Sequence, residues 1–189
     1  MAETANICVP DLVNLDASAS CDELDNIGGV AEVHIAYHEW VKTFPTFPML
    51  SAEKKSYADA GQWQGDFVME EGKAFAKISF KDESAKLDFA EQGEKGSLKV
   101  LHTLTMARQK IEEISAGFSN GVRNHPLVIV VVDNNDNKYI LGDKRVPCRM
   151  ATGQTHTTGQ TREENSMMNF QFEYTCPRLL LYKGTAVGD

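Results

Sequence analysis

Residues 96–142, GSLKVLHTLTMARQKIEEISAGFSNGVRNHPLVIVVVDNNDNKYILG, contain the pattern that decides the fold. In the first part of this stretch, side chains that suit a core occupy every second position, at Leu98, Val100, His102, Leu104 and Met106. Lysine and threonine occupy most of the positions between them. A period of two places one set of side chains on one face of an extended chain. The sequence therefore predicts a half-buried β-strand over residues 97–107.

The period changes directly after this strand. Ile111, Ile114 and Phe118 are three and four residues apart, so on a helix their side chains form a single stripe. We predict a helix from Arg108 to Phe118 that turns this stripe toward the core. Its end lies near Gly121, because glycine commonly follows the last turn of a helix.

The run LVIVVV, from Leu127 to Val132, predicts the most buried strand of the molecule. It is too short to cross a membrane, and it is too rich in β-branched residues for a helix. The polar residues from Asp133 to Asn137 predict a turn, and a second strand follows from Lys138 to Leu141. One helix therefore lies between strands of a β-rich core.

Shorter alternating runs predict strands in the rest of the chain, at residues 31–38, 67–70, 74–80, 86–90, 168–175 and 179–182. The three runs between residues 67 and 90 are joined by short turns, so we predict a meander in which each strand pairs with the next. We find no linker, and 189 residues suit a single domain.

Three segments lack the periodicity of core elements, namely residues 1–29, 43–65 and 152–165. The first is an acidic N-terminal arm. The second opens with FPTFP, from Phe44 to Pro48, and its prolines exclude it from a sheet interior, so we expect exposed aromatic side chains there. The third, TGQTHTTGQTREEN, suits an extended polar hairpin or a mobile loop. Segments of this length are usually functional or disordered, and the two prolines stiffen residues 43–65, which favours a contact arm over a flexible linker.

Composition excludes several classes of function. The formal net charge is −8, and no cluster of lysine and arginine is present, so a protein that grips DNA phosphates is not expected. The N-terminus lacks the features of a signal peptide and no run suits a membrane span, so we expect cytoplasmic synthesis and no membrane partner. The four cysteines form no C-x-x-C motif, and we expect free, buried thiols.

No group of residues has the spacing of a metal or catalytic site. His34 and His38 share one face of a strand at about 13 Å, which is too far for one ion. The run from Asp133 to Asn137 resembles the start of a calcium loop, but it lacks the required glycine and terminal glutamate. We therefore predict no cofactor, no metal and no enzymatic activity.

The order of these elements resembles a known family. A Cys-containing lead passes through Gly28-Gly29 into a strand and a meander. A strand-helix-strand unit follows, LTMARQKIEEISAGFSNGVRNHPLVIVVVDNNDNKYILG, and then a Thr-Gly-rich segment before a strand, ATGQTHTTGQTREENSMMNFQFEY. Over residues 21–182 this arrangement is similar to the tail tube and tail ring proteins of phages that infect Bacteroidetes, including the crAss-like phages.

The resemblance implies a mainly β fold, an antiparallel β-sandwich or small barrel with one packed α-helix. It also implies a virion structural protein of the tail, made in the cytoplasm of a bacterial host and assembling as a homo-oligomeric ring, a hexamer or dodecamer. The ring would contact neighbouring tail or portal proteins and conduct genomic DNA without specific binding. A tail tube and a head-tail connector ring are both open on this basis.

We expect contacts between subunits to come from the two internal polar segments, at Phe44, Phe47, Tyr57, Thr155, His156, Thr157 and Arg162. The alternative is a monomeric β-barrel that binds a small ligand among His34, His38, Trp40 and Trp63. The mass of the oligomer separates the two hypotheses, because only a ring subunit forms large species.

Overall fold

The computed structural model describes residues 27–51, 56–161 and 163–185. The strands are β1 Val30–Tyr37, β2 Val41–Thr43, β3 Val68–Met69, β4 Ala76–Ile78, β5 Lys86–Gln92, β6 Lys99–Gln109, β7 Leu127–Asp133, β8 Lys138–Leu141, β9 Arg149–Met150, β10 His156–Thr157, β11 Met167–Cys176 and β12 Leu181–Tyr182. The helices are α1 Tyr57–Ala60 and α2 Glu113–Val122, and a 3-10 turn spans His38–Trp40.

Two antiparallel sheets of these strands form a β-sandwich. The first sheet has the order β12-β8-β7-β1-β4, and the second has the order β10-β11-β6-β5, with β9 also paired to β11. Apolar side chains from both sheets share one core. Both sheets remain open at their edges in the described part of the chain. The predicted class, a mainly β sandwich with one packed helix, is confirmed.

Strand β7 is the centre of the first sheet. Its residues Leu127 to Val131 are all buried, and β1 and β8 pair with it on either side. The turn after it is the predicted hairpin, in which the carboxylate of Asp133 accepts hydrogen bonds from the backbone N–H groups of Asn135 and Asn137, each at 2.8 Å. The predicted buried strand, turn and following strand are confirmed.

Strands β6 and β11 form the longest strand pair in the described part of the chain, in register from Val100 opposite Cys176 to Gln109 opposite Met167. The side chains of β11 alternate as the sequence predicts, with Met168, Phe170, Phe172 and Tyr174 buried. Cys176 and Cys148 are buried free thiols, as expected, while Cys8 and Cys21 lie outside the described residues.

The predicted start of the helix is wrong, whereas its predicted end near Gly121 is confirmed, since α2 ends at Val122. Strand β6 continues to Gln109, because its backbone stays paired with β11, and α2 begins only at Glu113 after a turn at Lys110 with φ of 66°. Only part of the predicted stripe faces the core: Phe118 is half-buried against it, as predicted, whereas the side chain of Ile114 is 73% exposed. The buried residues of α2 are Ser115, Ser119 and Val122.

The predicted meander is also wrong, because its three strands pair with three different partners. Strand β3 pairs with β2, β4 with β1 and β5 with β6. The chain crosses from the first sheet to the second between β4 and β5. The crossing is held by the carbonyl of Ala107, which accepts from the backbone N–H of Lys81 at 2.8 Å and from Oγ of Ser84 at 3.0 Å.

Residues 43–65 do not form an arm with exposed aromatic side chains, within the part that is described. Phe44 and Phe47 are half-buried against the core, and Pro45 and Pro48 are buried. Trp63 is buried as well, and the backbone of this segment bridges Thr46 to Gln64. The prediction of exposure fails because the prolines keep the backbone out of a sheet without keeping the rings out of the core.

Two further predicted segments have different outcomes. Residues 152–165 include β10, which pairs with Met167 and Met168, so a polar hairpin is present there. The predicted N-terminal arm, residues 1–29, lies outside the described residues up to position 26. Its last part is held by a side-chain amide, since Asn135 exchanges two hydrogen bonds with the backbone of Ile27, each at 3.0 Å.

In the described part of the chain, no helix is long and apolar enough to span a bilayer.

The contrast between β7 and α2 gives a matched pair of substitutions. Ile129→Ala should lower the free energy of unfolding by about 2–5 kcal/mol, because it removes a fully buried side chain and leaves a cavity. Ile114→Ala, the same change on the exposed side of α2, should alter it by no more than about 0.5 kcal/mol. Denaturant unfolding of both variants measures the difference. A large loss of stability in Ile114→Ala would show that Ile114 faces the core, as the sequence predicts.

Candidate functional site

Strand β5 is an exposed edge of the second sheet. It has seven residues and, among the described residues, pairs on one side only, with β6. Along its length only Leu87 is half-buried, and the other residues are exposed. The outward N–H and C=O groups of an edge strand are a template for pairing with another chain.

The hairpin that joins β5 to β6 projects from the sandwich, since residues 88–99 are all exposed. Its last paired residues are Gln92 and Lys99. Gly93 begins the tip with φ of 118°, and a Cβ atom there would lie 2.5 Å from the carbonyl oxygen of Ser97. The tip therefore requires glycine, and it presents Leu98, which is 53% exposed.

Residues 149–157 form the opposite edge of the same sheet, alongside β11. Arg149 lies opposite Glu173, the N–H of Ala151 donates to the carbonyl of Gln171 at 2.8 Å, and His156 lies opposite Met168. The segment thus follows β11 with a bulge between β9 and β10. Its outer side has no strand partner in the described part of the chain.

The face of the second sheet that points away from the core is polar. It carries Thr103, Thr105, Asn169, Gln171 and Thr175, which alternate with the buried residues of β6 and β11. Lys86 pairs with Asp88 at 2.9 Å, Glu173 lies opposite Arg149, and Lys99 is exposed at the end of β6 on the same face. This polar face is thus hydrated and close to neutral.

On the core side of the second sheet, His102 is buried without a hydrogen bond. Its side chain is 2% exposed, and neither ring nitrogen has a partner among the described residues. The ring lies edge-on between Phe89, at 4.9 Å, and Tyr174, at 5.4 Å. Burial lowers the pKa of His102 to about 4, because the charged imidazolium would lose its hydration.

Asp143 fastens the loop after β8 to the second sheet. One of its carboxylate oxygens accepts from the hydroxyl of Tyr174 at 2.7 Å, and the other accepts from the backbone N–H groups of Arg145 and Val146. Its backbone carbonyl lies 2.8 Å from Nε2 of His38. Burial raises the pKa of Tyr174, and so its hydroxyl is a stable donor in this arrangement.

The predicted contact residues fall into two groups. Thr155, His156 and Thr157 are exposed on the edge beside β11. Phe44, Phe47 and Tyr57 are half-buried; the ring of Phe44 lies 4.7 Å from that of His38, and the ring of Phe47 lies 4.7 Å from that of Trp63. Arg162 lies outside the described residues. The structure therefore brings only the first group to an open edge.

The four side chains of the ligand-binding alternative do not line one cavity. His34 is buried beside Glu32, with 2.9 Å between Nε2 and Oε2, and His38 contacts Asp143. Trp40 lies under the Nζ of Lys73 and lines a small apolar crevice of about 140 Å³ beside α2. Trp63 lines a different pocket with Gln62 and Asp66. Each of the four side chains already has a partner within the fold.

Neither a metal site nor a match to a known protein indicates a function for this chain. Among residues 27–51, 56–161 and 163–185, no three His, Cys, Asp or Glu side chains come close enough to share an ion. Comparisons with protein-family models, with curated proteins and with solved structures find no match. The open edges and polar face of the second sheet are therefore the features on which a function can be argued.

Sequence reasoning missed the β5 edge because it placed β5 inside a meander. The run from Lys86 to Glu91 nevertheless carried a signal. Charged side chains at Lys86, Asp88 and Glu91 are typical of an edge strand, where charge discourages unwanted pairing.

Removal of the Tyr174 hydroxyl tests the fastening at Asp143. Tyr174→Phe should lower the free energy of unfolding by about 1–3 kcal/mol, because it leaves a buried carboxylate oxygen without its donor. Tyr57→Phe, the same change on a half-exposed side chain of α1, should have almost no effect. Thermal and denaturant unfolding compare the two variants. Equal stability of both would show that Asp143 finds water in place of Tyr174.

Proposed function

We propose that this chain is a structural subunit that assembles into a ring, of the kind that forms a phage tail tube or a head-tail connector, and that the ring conducts DNA. One observation carries the proposal: the second sheet has two open edges on opposite sides of a polar face. A sheet of this form is completed by pairing each edge with a neighbouring copy.

The directions of the strands allow copies to pair head-to-tail in a closed ring. Across the second sheet, β5, β6, β11 and the segment of residues 149–157 alternate in direction, because each adjacent pair is antiparallel. When copies are related by rotation about an axis along the strands, residues 149–157 of one copy meet β5 of the next in opposite directions. The sheet then continues antiparallel, and this head-to-tail contact closes into a ring.

The packing of the sandwich supports one of the two faces of the second sheet as the inner surface of such a ring. The first sheet and α2 cover the core side of the second sheet, and they need the greater space available at larger radius. The polar face therefore lines the lumen. Its side chains are mainly threonines and amides, and the lysine and arginine side chains of each copy are few, so DNA passes without being held.

The resemblance found in the sequence extends this proposal to a virion tail. In that setting the ring is a hexamer or dodecamer that contacts neighbouring tail or portal proteins. The projecting hairpin between β5 and β6 supplies a surface for contacts along the tail axis, because it extends along the strand direction.

Proline substitutions test the β5 edge. Adjacent residues of a strand direct their N–H groups to opposite sides, so one of the two substitutions Ala90→Pro and Glu91→Pro removes an outward donor and the other removes a donor to β6. The variant that lacks the outward donor should keep its unfolding temperature and lose the large species seen by light scattering and negative stain. Glu71→Pro is the matched control. Glu71 is the second residue of a turn in which the third residue, Gly72, has a φ of 72°, and proline is common at the second position of such a turn. Rings formed by every folded variant would exclude this edge.

Charge reversal on the polar face tests the lumen. At about 50 mM salt, assembled wild-type rings should show no submicromolar binding of duplex DNA, because phosphate contacts are few. Glu173→Lys should create binding that weakens steeply with added salt, since every copy adds a cation to the lumen. Glu71→Lys adds the same charge in an exposed turn and is the control. Tight, salt-sensitive binding by wild-type rings would contradict a neutral lumen.

A further inference from the structure

Two inward side chains tie the edge strand β5 to the core. Leu87 is half-buried, and the ring of Phe89 lies against His102 at 4.9 Å and against Tyr139 at 5.2 Å. The third inward residue, Glu91, is exposed. Phe89 is itself 37% exposed, so it lies between buried His102 and the solvent at this edge.

The site under Phe89 suits only a neutral imidazole. His102 has no hydrogen-bond partner for either nitrogen among the described residues, and its other aromatic neighbour is Tyr174. A protonated ring would carry two N–H donors and a charge into a place that offers no acceptor among the described residues. His34, in contrast, is buried beside the carboxylate of Glu32.

The ionisable groups around His102 do not offset its protonation. On β11, the hydroxyl of Tyr174 is bound to Asp143, and Cys176 is a buried thiol. On the first sheet, the hydroxyl of Tyr139 lies 3.4 Å from the carboxylate of Asp133. On β5, Glu91 is exposed and makes no bond to the imidazole. Lys86 and Asp88 of β5 point to the opposite face, where they pair with each other.

We propose that His102 is an acid-sensitive latch on the β5 edge: when its ring is protonated it moves to water past Phe89, and β5 then separates from β6. Loss of β5 removes one of the two edges by which copies pair. A ring therefore comes apart in mild acid, a consequence that rests on the proposed function. The opening of β5 within one copy does not depend on that function.

The direction of the pH dependence follows from the change in protonation. The pKa of His102 is lowered from 6.5 to about 4 in the closed state, and it returns toward 6.5 when the ring reaches water. The closed state is therefore fully favoured above pH 6.5, and it loses stability as the pH falls toward 4. At pH 4.5 the linkage favours opening by roughly 50-fold relative to neutral pH.

Amide hydrogen exchange of the full-length protein tests the latch. At pH 4.5, after correction for intrinsic exchange rates, residues 86–92 should lose protection by roughly 50-fold relative to pH 7, whereas residues 168–176 should keep theirs. His102→Phe and His102→Leu should keep β5 protected at both pH values, because neither side chain takes up a proton. His156→Phe, the same change at an exposed histidine, should behave as wild type.

The outcomes separate the latch from the ring. Equal protection of β5 at both pH values in wild type, or an equal loss in His102→Phe and His102→Leu, overturns the latch. Light scattering at the two pH values follows the assembly in the same samples. Rings that dissociate at pH 4.5 only when His102 is present support both proposals, whereas the absence of rings at pH 7 overturns the ring and leaves the exchange result to decide the latch.

Discussion

The pairing of β6 with β11 is the constraint on which the rest of the structure depends. Its register runs from Val100 opposite Cys176 to Gln109 opposite Met167 and keeps the backbone extended up to Gln109. The start of α2 follows from where this pairing stops, and the crossing between the sheets is fastened to the carbonyl of Ala107 on β6. The pairing also divides the side chains into a buried face and a polar face, so it determines both the core and the proposed lumen.

Local periodicity predicts those elements whose burial depends on their own side chains. The run around Ile129 is apolar on both faces, and β11 alternates without interruption around Phe172, so each lies where the sequence places it. The stripe containing Ile114 has helical spacing too, but its orientation depends on where the pairing of β6 with β11 ends. That information lies about 50 residues farther along the sequence, beyond the reach of a local pattern.

The candidate site is harder to predict than the core, because the edge position of a strand depends on which strands lie beside it. The charges at Lys86 and Asp88 suit an edge and equally the solvent face of an inner strand, whereas Glu91 lies on the other face of β5. The polar composition of residues 152–165 does predict a surface segment, and Thr155 to Thr157 are exposed on the edge beside β11. Composition does not predict the burial of Phe44 and Phe47. The neighbouring prolines exclude the backbone from a sheet, but the two rings are half-buried against the core.

The same edge strand has to satisfy two opposing demands. Pairing with a neighbouring copy requires backbone groups that are unpaired in the isolated chain, and such an edge also invites uncontrolled aggregation. Besides its backbone pairing with β6, β5 is attached to the core by the side chains of Leu87 and Phe89, so few side-chain contacts keep the unpaired edge formed. Pairing with a neighbour then stabilises β5, so that formation of the edge and formation of the contact are coupled. The unpartnered imidazole of His102 fits this balance, because it makes the attachment of the edge sensitive to pH without adding a hydrogen bond that would hold β5 in place.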